Sequence, residues 1–322
     1  MRFLVIGLGS MGKRRIRLLN KYNDSYEIFG IDNNGERREE VKSEYGIEVF
    51  KSISDAFSSY SYDGVLICTS PLSHSTIISQ ILKYDVAVFS EINLISDGYE
   101  NIISLTDKKI FLSSTFLYRK DIQWIINKVD KQRVNYIYHV GQYLPDWHPW
   151  ESYKDFFVSD KRSNGCREIM AIEIPWIVKG FGKIKEISVM KGNMSSLNIN
   201  YPDNYIINFV HENGTKGIVA IDIVSRCAIR NLEVFNENLH IVWKGNPQSL
   251  QDYNVQERKM LNIATYKQID KDNNYADNII ENAYLDELKA FISLIKGDKT
   301  KVKYDYKEDL EILNIIDTIE GK

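Results

Sequence analysis

Gly7-Leu8-Gly9-Ser10-Met11-Gly12 follows the apolar run Phe3-Leu4-Val5-Ile6 directly and opens the helical stretch Lys13 to Leu19. Between a strand and a helix, this G-x-G-x-x-G spacing suits a dinucleotide. Gly7 makes the tight turn, Gly9 lets the backbone approach a pyrophosphate, and Gly12 allows helix and strand to pack closely. The helix start at Ser10 and Met11 adds backbone donors and the positive end of the helix dipole. Glycines alone are weak evidence, but here the next strand, Glu27 to Ile31, ends at Asp32, twenty residues after Gly12. A carboxylate there accepts hydrogen bonds from the adenosine ribose hydroxyls. With strand, turn, helix and acid in order, an incidental glycine turn is the weaker reading. Asp32 would repel a 2'-phosphate and so favours NAD over NADP, while Arg37 and Arg38 stand close enough to keep NADP open.

Outward from this unit, Gly64 to Cys68, Asp85 to Phe89 and Ile110 to Leu112 continue a series of short β-rich runs separated by helical spacing, as in Ile77, Ile78, Ile81 and Leu82. That alternation predicts an α/β Rossmann domain, a parallel doubly wound sheet with helices on both faces, over residues 1–120. From Arg133 the texture changes. Val134 to Val140 alternates, and two hairpins follow: Asn204 to His211 with Lys216 to Val224, and Leu232 to Phe235 with Leu239 to Trp243. Residues 121–322 are therefore expected to form an α+β domain with a large, mostly antiparallel open sheet. Helical spacing returns in Ala283 to Ile295, which Gly297 stops, and in Leu310 to Ile319, and the C-terminal helix is expected to pack back on the Rossmann domain.

Composition narrows the partners. With 322 residues, 43% hydrophobic, two domains are the better expectation. Lys plus Arg total 41 and Asp plus Glu 44, a net charge of -3 without the footprint of a nucleic-acid or anionic-membrane binder. Cys68, Cys166 and Cys227 are odd in number and widely spaced, which reads as reduced thiols in a cytoplasm rather than a disulfide framework, and no metal-ligand spacing is present. The run Phe3 to Ile6 is too short for a signal-peptide core and no stretch approaches the ~20 apolar residues of a membrane span, so the expectation is a soluble cytoplasmic protein.

Five stretches together resemble the glucose-fructose oxidoreductase/inositol dehydrogenase/rhizopine-catabolism (Gfo/Idh/MocA) family: Gly7 to Leu19, Val65 to His74 (VLICTSPLSH), Val88 to Leu94 (VFSEINL), Gly141 to Tyr153 (GQYLPDWHPWESY) and Tyr284 to Leu288. The resemblance runs through essentially the whole chain. It implies hydride transfer between a nicotinamide cofactor and a sugar, inositol or sugar nucleotide. It also implies a homodimer or homotetramer joined through the C-terminal sheet, and a cofactor lining that includes Thr69, Ser70, Pro71, His74 and Glu91. The Gly141 to Glu151 loop is similar to relatives encoded beside genes for surface sugars.

Two family features are altered. Where members carry Glu-Lys-Pro this chain has Glu91-Ile92-Asn93, and where members carry a glycine run, an Asp and then His-x-x-Asp, it has Ile169, Ile172 and Pro175. Isoleucine and proline side chains cannot move a proton. The expected replacement base is His148, in a loop that borders the substrate in relatives, against a reading in which it anchors that loop between tryptophans. Glu91, Glu168 and Glu173 come next. Arg119 is a candidate anion clamp or a salt-bridge former. Trp147, Trp150 and Tyr153 are candidates to stack on a sugar or base, with Lys154, Lys161 and Arg162 for phosphate, or else the aromatics cover a domain junction. His139, His211 and His240 read as cross-strand partners. Three functions compete: an NAD(P)-dependent oxidoreductase on a sugar, sugar phosphate or nucleotide sugar in surface-carbohydrate biosynthesis, with atypical acid/base residues; a catalytically degenerate dinucleotide-binding subunit or sensor; and an enzyme that oxidises and re-reduces one substrate with bound cofactor.

Overall fold

Phe3, Leu4 and Val5 are fully buried, as a strand must be when a parallel sheet is covered on both faces. They lie in β1 (Arg2–Ile6), the centre of a six-stranded parallel sheet with β2 (Glu27–Ile31), β3 (Glu48–Phe50), β4 (Gly64–Ile67), β5 (Ala87–Ser90) and β6 (Ile110–Leu112). The computed structural model describes residues 1–148, 151–271 and 279–322. Two units separate in it, residues 1–114 with 284–310, and residues 115–283 with 311–322. The boundary expected near residue 120 thus lies at Ser114, and the first unit also takes in 284–310, a segment from the far end of the chain.

Helices α1 (Ser10–Tyr22), α2 (Gly35–Tyr45), α3 (Ile53–Ser59), α4 (His74–Ile81) and α5 (Tyr99–Ser104) connect these strands. The order β3-β2-β1-β4-β5-β6 reverses between β1 and β4, the place where an open α/β sheet leaves a crevice at its strand ends. Ile6 is in register with Ile31 on one side and Ile67 on the other, so the loops after β1, β2 and β4 emerge side by side. β3 escaped sequence reading because its three residues are short of an apolar run and none is buried.

The second unit holds an eight-stranded sheet, the mostly antiparallel sheet expected. Around α6 (Lys120–Val129) and α7 (Gly165–Phe181), the chain forms β7 (Asn135–Gly141), β8 (Ile184–Gly192), β9 (Asn204–His211), β10 (Lys216–Asp222), β11 (Ile229–Asn236), β12 (Leu239–Trp243), β13 (Gln251–Asn254) and β14 (Lys259–Asn262). Their order is β14-β13-β12-β11-β7-β10-β9-β8, and only β7 and β10 run parallel. The first hairpin pairs as its sequence demands, with Lys216 opposite Val210. Alternation is strict: Tyr205, Ile207 and Phe209 of β9 are buried while Ile206 and Asn208 are exposed. On the inner face the Tyr136 ring stacks on Phe181 of α7 at 4.1 Å. The outer face carries Met190, Ile206, Ile218 and Ile137, with Ile218 beside Ile137 and Met190 beside Ile206.

The chain ends with α8 (Glu281–Ile295) and α9 (Tyr306–Glu320); Gly297, at φ +93, follows the first as the expected stop. Among the described residues no helix is long and apolar enough to cross a membrane.

Candidate functional site

The glycine loop divides its three glycines by purpose. Gly7 has φ +92, and a Cβ there would lie 2.7 Å from the Cys68 carbonyl oxygen and 2.9 Å from Thr69 Cγ2. A Cβ on Gly12 would sit 1.9 Å from the Gly7 carbonyl oxygen. The fold itself requires these two. Gly9 is different: its φ is -73, and a Cβ would meet nothing nearer than an Arg37 nitrogen at 3.7 Å. Among the described residues no protein atom needs glycine there, so the space in front of Gly9 suits a group that must approach the backbone closely. Gly9 caps α1 without a side-chain hydrogen bond, and the first turn holds no acidic residue. The Ser10, Met11 and Gly12 amides fall where a helix offers its own N–H groups no carbonyl, a fit to a pyrophosphate.

Asp32 stands at the end of β2. Its Oδ2 accepts from the Leu8 amide at 2.8 Å and its Oδ1 from the Asn34 amide at 2.8 Å, which ties the glycine loop to the next turn. Arg38 donates to the Asp32 and Asn33 carbonyls, while Arg37 is exposed beside Gly9. After β4, Thr69 and Ser70 bond to Ser73 and to the Leu72 amide, and Pro71 begins the turn.

Behind this surface lies a buried polar layer. His74 is 2% exposed, with its ring nitrogens 3.0 Å from the Thr69 carbonyl and 2.6 Å from the Asn93 side chain. Burial lowers its pKa, and the neutral ring donates to Thr69. The His74 side chain thus holds Thr69 from behind. Glu91 is buried beside it: its two oxygens accept from Arg15 Nε at 2.6 Å and Nη2 at 3.1 Å inside the unit. Arg15 also reaches Glu287 of α8 at 2.8 Å and lies over the Phe89 ring. Burial works against the Arg15 charge, but Glu91 and Glu287 outweigh it and hold its pKa above the ordinary arginine value. Burial raises the Glu287 pKa, with Arg15 opposing. Glu287 further accepts from Ser113 Oγ and the Ser114 amide. The Tyr284 to Leu288 stretch thus anchors the glycine-loop helix. Sequence reading passed over Arg15, although an arginine among Gly12, Ile16 and Leu19 on a buried face calls for an interior anion.

In the second unit Arg119 is 2% exposed. Its guanidinium bonds both Asp121 oxygens and the Gly245 carbonyl and lies over the Phe116 and Trp243 rings. Of the two expectations for Arg119 this is the salt-bridge one: Asp121, two residues on, pairs with the guanidinium inside the unit. His148 Nδ1 lies 2.8 Å from Glu151 Oε1, and its ring stacks on Phe156 at 4.7 Å. Trp147 donates from Nε1 to the Gln142 carbonyl, and its ring edge lies close to Gly165 at the start of α7. Tyr153 is half-buried, whereas Lys154, Lys161 and Arg162 are exposed. Trp150 lies outside the described residues. The strand histidines have partners: His139 with Asp222 at 2.7 Å, His211 with Tyr136 at 2.9 Å and His240 with Glu233 at 3.0 Å.

α7 carries Ile169 and Pro175 buried and Ile172 half-buried, and Pro175 sits inside the helix. Its glutamates differ. Glu173 is wholly buried and accepts from Tyr138 at 2.8 Å, Trp176 at 2.7 Å and Arg230 at 2.8 Å. Glu168, one helical turn before Ile172, has an Oε2 shut off from solvent with no hydrogen-bond partner. Burial pushes its pKa to about 7. The nearby helix start favours the anion by only ~0.3–1 kcal/mol, less than one pKa unit, so desolvation prevails. Asp222 shows the opposite balance: burial is outweighed by His139, Ser225 and two backbone amides, and its pKa falls. Among the described residues no cluster of three or more His, Cys, Asp or Glu could hold a metal.

Comparison with known proteins follows this division. Solved structures match the chain from end to end at low identity. An oxidoreductase from Agrobacterium radiobacter, in complex with NAD+, L-tartaric acid and magnesium, is 13% identical with a TM-score of 0.79, covering 100% of this chain and 96% of its own. A UDP-N-acetylglucosamine 3-dehydrogenase from Acidithiobacillus ferrooxidans is 15% identical at 0.75, covering 100% and 96%. The WlbA dehydrogenase from Bordetella pertussis, in complex with NADH and UDP-GlcNAcA, is 14% identical at 0.76, covering 99% and 94%. At these identities the likeness is one of fold. No curated protein matches by sequence. The model of the Gfo/Idh/MocA oxidoreductase family, NAD-binding Rossmann fold, matches residues 1–93, the part that holds the glycine loop, Asp32, the Thr69 to His74 turn and Glu91. Over its first 93 residues the chain is thus similar to the Gfo/Idh/MocA oxidoreductase family in that family's NAD-binding Rossmann fold.

Proposed function

We propose that the protein is an NAD-dependent oxidoreductase that acts on a sugar, sugar phosphate or nucleotide sugar, in surface-carbohydrate biosynthesis, with acid/base groups that differ from its family's. The observation that carries this reading is Gly9, a glycine that the fold does not need and a pyrophosphate does. In it the backbone of Gly7, Gly9, Ser10, Met11 and Gly12 holds the pyrophosphate, Asp32 takes the adenosine ribose, and Thr69, Ser70 and Pro71 line the nicotinamide half. NAD, when bound, supplies the hydride acceptor. Trp147 and Tyr153 offer aromatic faces for a sugar or base, and the exposed Lys161 and Arg162 offer charge for a phosphate. Structural neighbours that act on or hold UDP-sugars support a carbohydrate substrate as an analogy of fold. The exposed isoleucines of β7, β9 and β10 suit self-association through the outer face of the sheet.

The test is to identify small molecules released from purified protein by mass spectrometry, then to follow NADH formation with a panel of sugars, sugar phosphates and nucleotide sugars. Turnover on a member of the panel is the expected result. A second reading, a dinucleotide-binding subunit without redox chemistry, is favoured by Ile92, Ile169, Ile172 and Pro175 at the family's polar positions. NAD bound with no turnover across the panel would select it.

A further inference from the structure

We propose that Arg37 is a cofactor-binding residue whose guanidinium closes on the pyrophosphate held at Gly9, an inference that rests on the dinucleotide reading of the glycine loop. Arg37 and that loop belong to the same unit. α2 starts after Asn34, whose side chain accepts from the Glu36 and Arg37 amides. This cap fixes Arg37 in the first turn of α2. A cation in a first turn opposes the helix dipole, so nothing in α2 itself favours an arginine there. The side chain crosses instead to the glycine loop. Its Nη1 lies 3.7 Å from the point where a Cβ on Gly9 would stand and, chain neighbours apart, no other atom of the described residues comes within 4 Å of that point.

The Arg37 guanidinium has no hydrogen bond or ion pair among the described residues, although Glu36, Glu39 and Glu40 are close in sequence. The other cations of this corner are occupied. Arg38 donates to the Asp32 and Asn33 carbonyls, and Lys13 pairs with Glu40 and Glu44 of α2. Arg14 reaches Met11 Sδ and lies over the Tyr284 ring, while Arg15 is buried between Glu91 and Glu287.

Two anionic groups of a dinucleotide carry the charge to meet Arg37, the pyrophosphate and a 2'-phosphate on the adenosine ribose. Placement favours the pyrophosphate. Arg37 stands over Gly9, at the start of α1, and the Asp32 carboxylate is bonded by the Leu8 and Asn34 amides rather than by either arginine. A 2'-phosphate beside Asp32 would face that uncompensated carboxylate. A pyrophosphate at Gly9 would receive backbone N–H groups from one side and a guanidinium fork from the other.

Wild type, Arg37→Gln, Arg37→Lys and Lys13→Gln are titrated with NADH, NADPH, ADP-ribose and adenosine at low and high salt, beside a thermal melt. Arg37→Gln should melt like wild type and bind NADH and ADP-ribose ~10-fold or more weakly at low salt, the loss of a charge-assisted hydrogen bond. High salt should narrow that gap, because the pair is exposed. Adenosine, which has no phosphate, should bind both proteins alike. Arg37→Lys should recover part of the loss, since it keeps the charge without the fork. Lys13→Gln removes the same charge close by and should cost less than ~3-fold. Affinity of Arg37→Gln for NADH and ADP-ribose within ~3-fold of wild type would remove Arg37 and leave the dinucleotide reading intact. A loss confined to NADPH would assign Arg37 to a 2'-phosphate, a loss shared by adenosine would assign it to the base, and an equal loss in Lys13→Gln would reduce it to background charge; each overturns the proposal. If wild type binds neither NADH nor ADP-ribose, the dinucleotide reading fails and the role of Arg37 fails with it.

Discussion

The glycine loop and helix α7 respond differently to change. In the loop each residue type answers to backbone geometry: Gly7 to a left-handed φ, Gly12 to a carbonyl that leaves no room for a Cβ, and Gly9 to a space that only a ligand would fill. Substitution there has no substitute elsewhere in the chain. On α7, Ile169, Ile172 and Pro175 carry no polar side chain, and the helix packs, through Trp176 and Phe181, on the inner face of its sheet. Backbone geometry therefore constrains the loop residue by residue, whereas packing constrains α7.

Breaking the buried layer behind the loop should have the largest effect on stability. Arg15→Met leaves Glu91 and Glu287 without their cation, at a cost of ~3–5 kcal/mol. Burial already raises the Glu287 pKa, and without Arg15 nothing opposes it, so its contribution is present in acid and lost as pH rises. The deficit, read from urea melts, should be large at pH 7–8 and shrink toward pH 4. Gly12→Ala should cost about 3 kcal/mol by overpacking, against little for the same change at an open glycine such as Gly192.

Glu168 gives a signature of opposite sign. Its folded pKa, about 7, lies above the unfolded value near 4.5, so its stabilising contribution is complete below about 4.5 and is lost as pH rises through 7. Glu168→Gln should melt like wild type in acid and be more stable at pH 8, by at most ~3 kcal/mol. Equal stability at both pH values would show that the carboxyl is ionised normally and would weaken the contrast between the two regions. The smallest effect on the protomer is expected at the outer face: Ile218→Lys should alter protomer stability by less than ~0.5 kcal/mol but lower the mass seen by light scattering if that face joins subunits.

How much of this was legible in the sequence follows the same line. The β1 to α1 turn, the alternation in β9 and β10 and the stop at Gly297 were readable because each is a local rule of backbone or periodicity. β3, β13 and β14 were not, since short, partly exposed edge strands carry little pattern. Arg119, His74 and Glu91 looked like ligand-facing groups, because residue type does not reveal which way a side chain turns. Their partners Asp121, Asn93 and Arg15 lie from 2 to 76 positions away, beyond what local pattern conveys. The loose oxygen of Glu168 is visible only once Glu173 is seen to be occupied.

The most direct test of the central claim is Gly9→Ala, measured by NADH fluorescence titration beside a thermal melt. Backbone angles and space at Gly9 both admit a methyl group, so the melt should match wild type. The methyl fills the approach to the helix start, so NADH affinity should fall by at least an order of magnitude. Wild-type NADH affinity in a Gly9→Ala protein that melts normally would contradict the account, because the one glycine that the fold does not need would then serve no dinucleotide either.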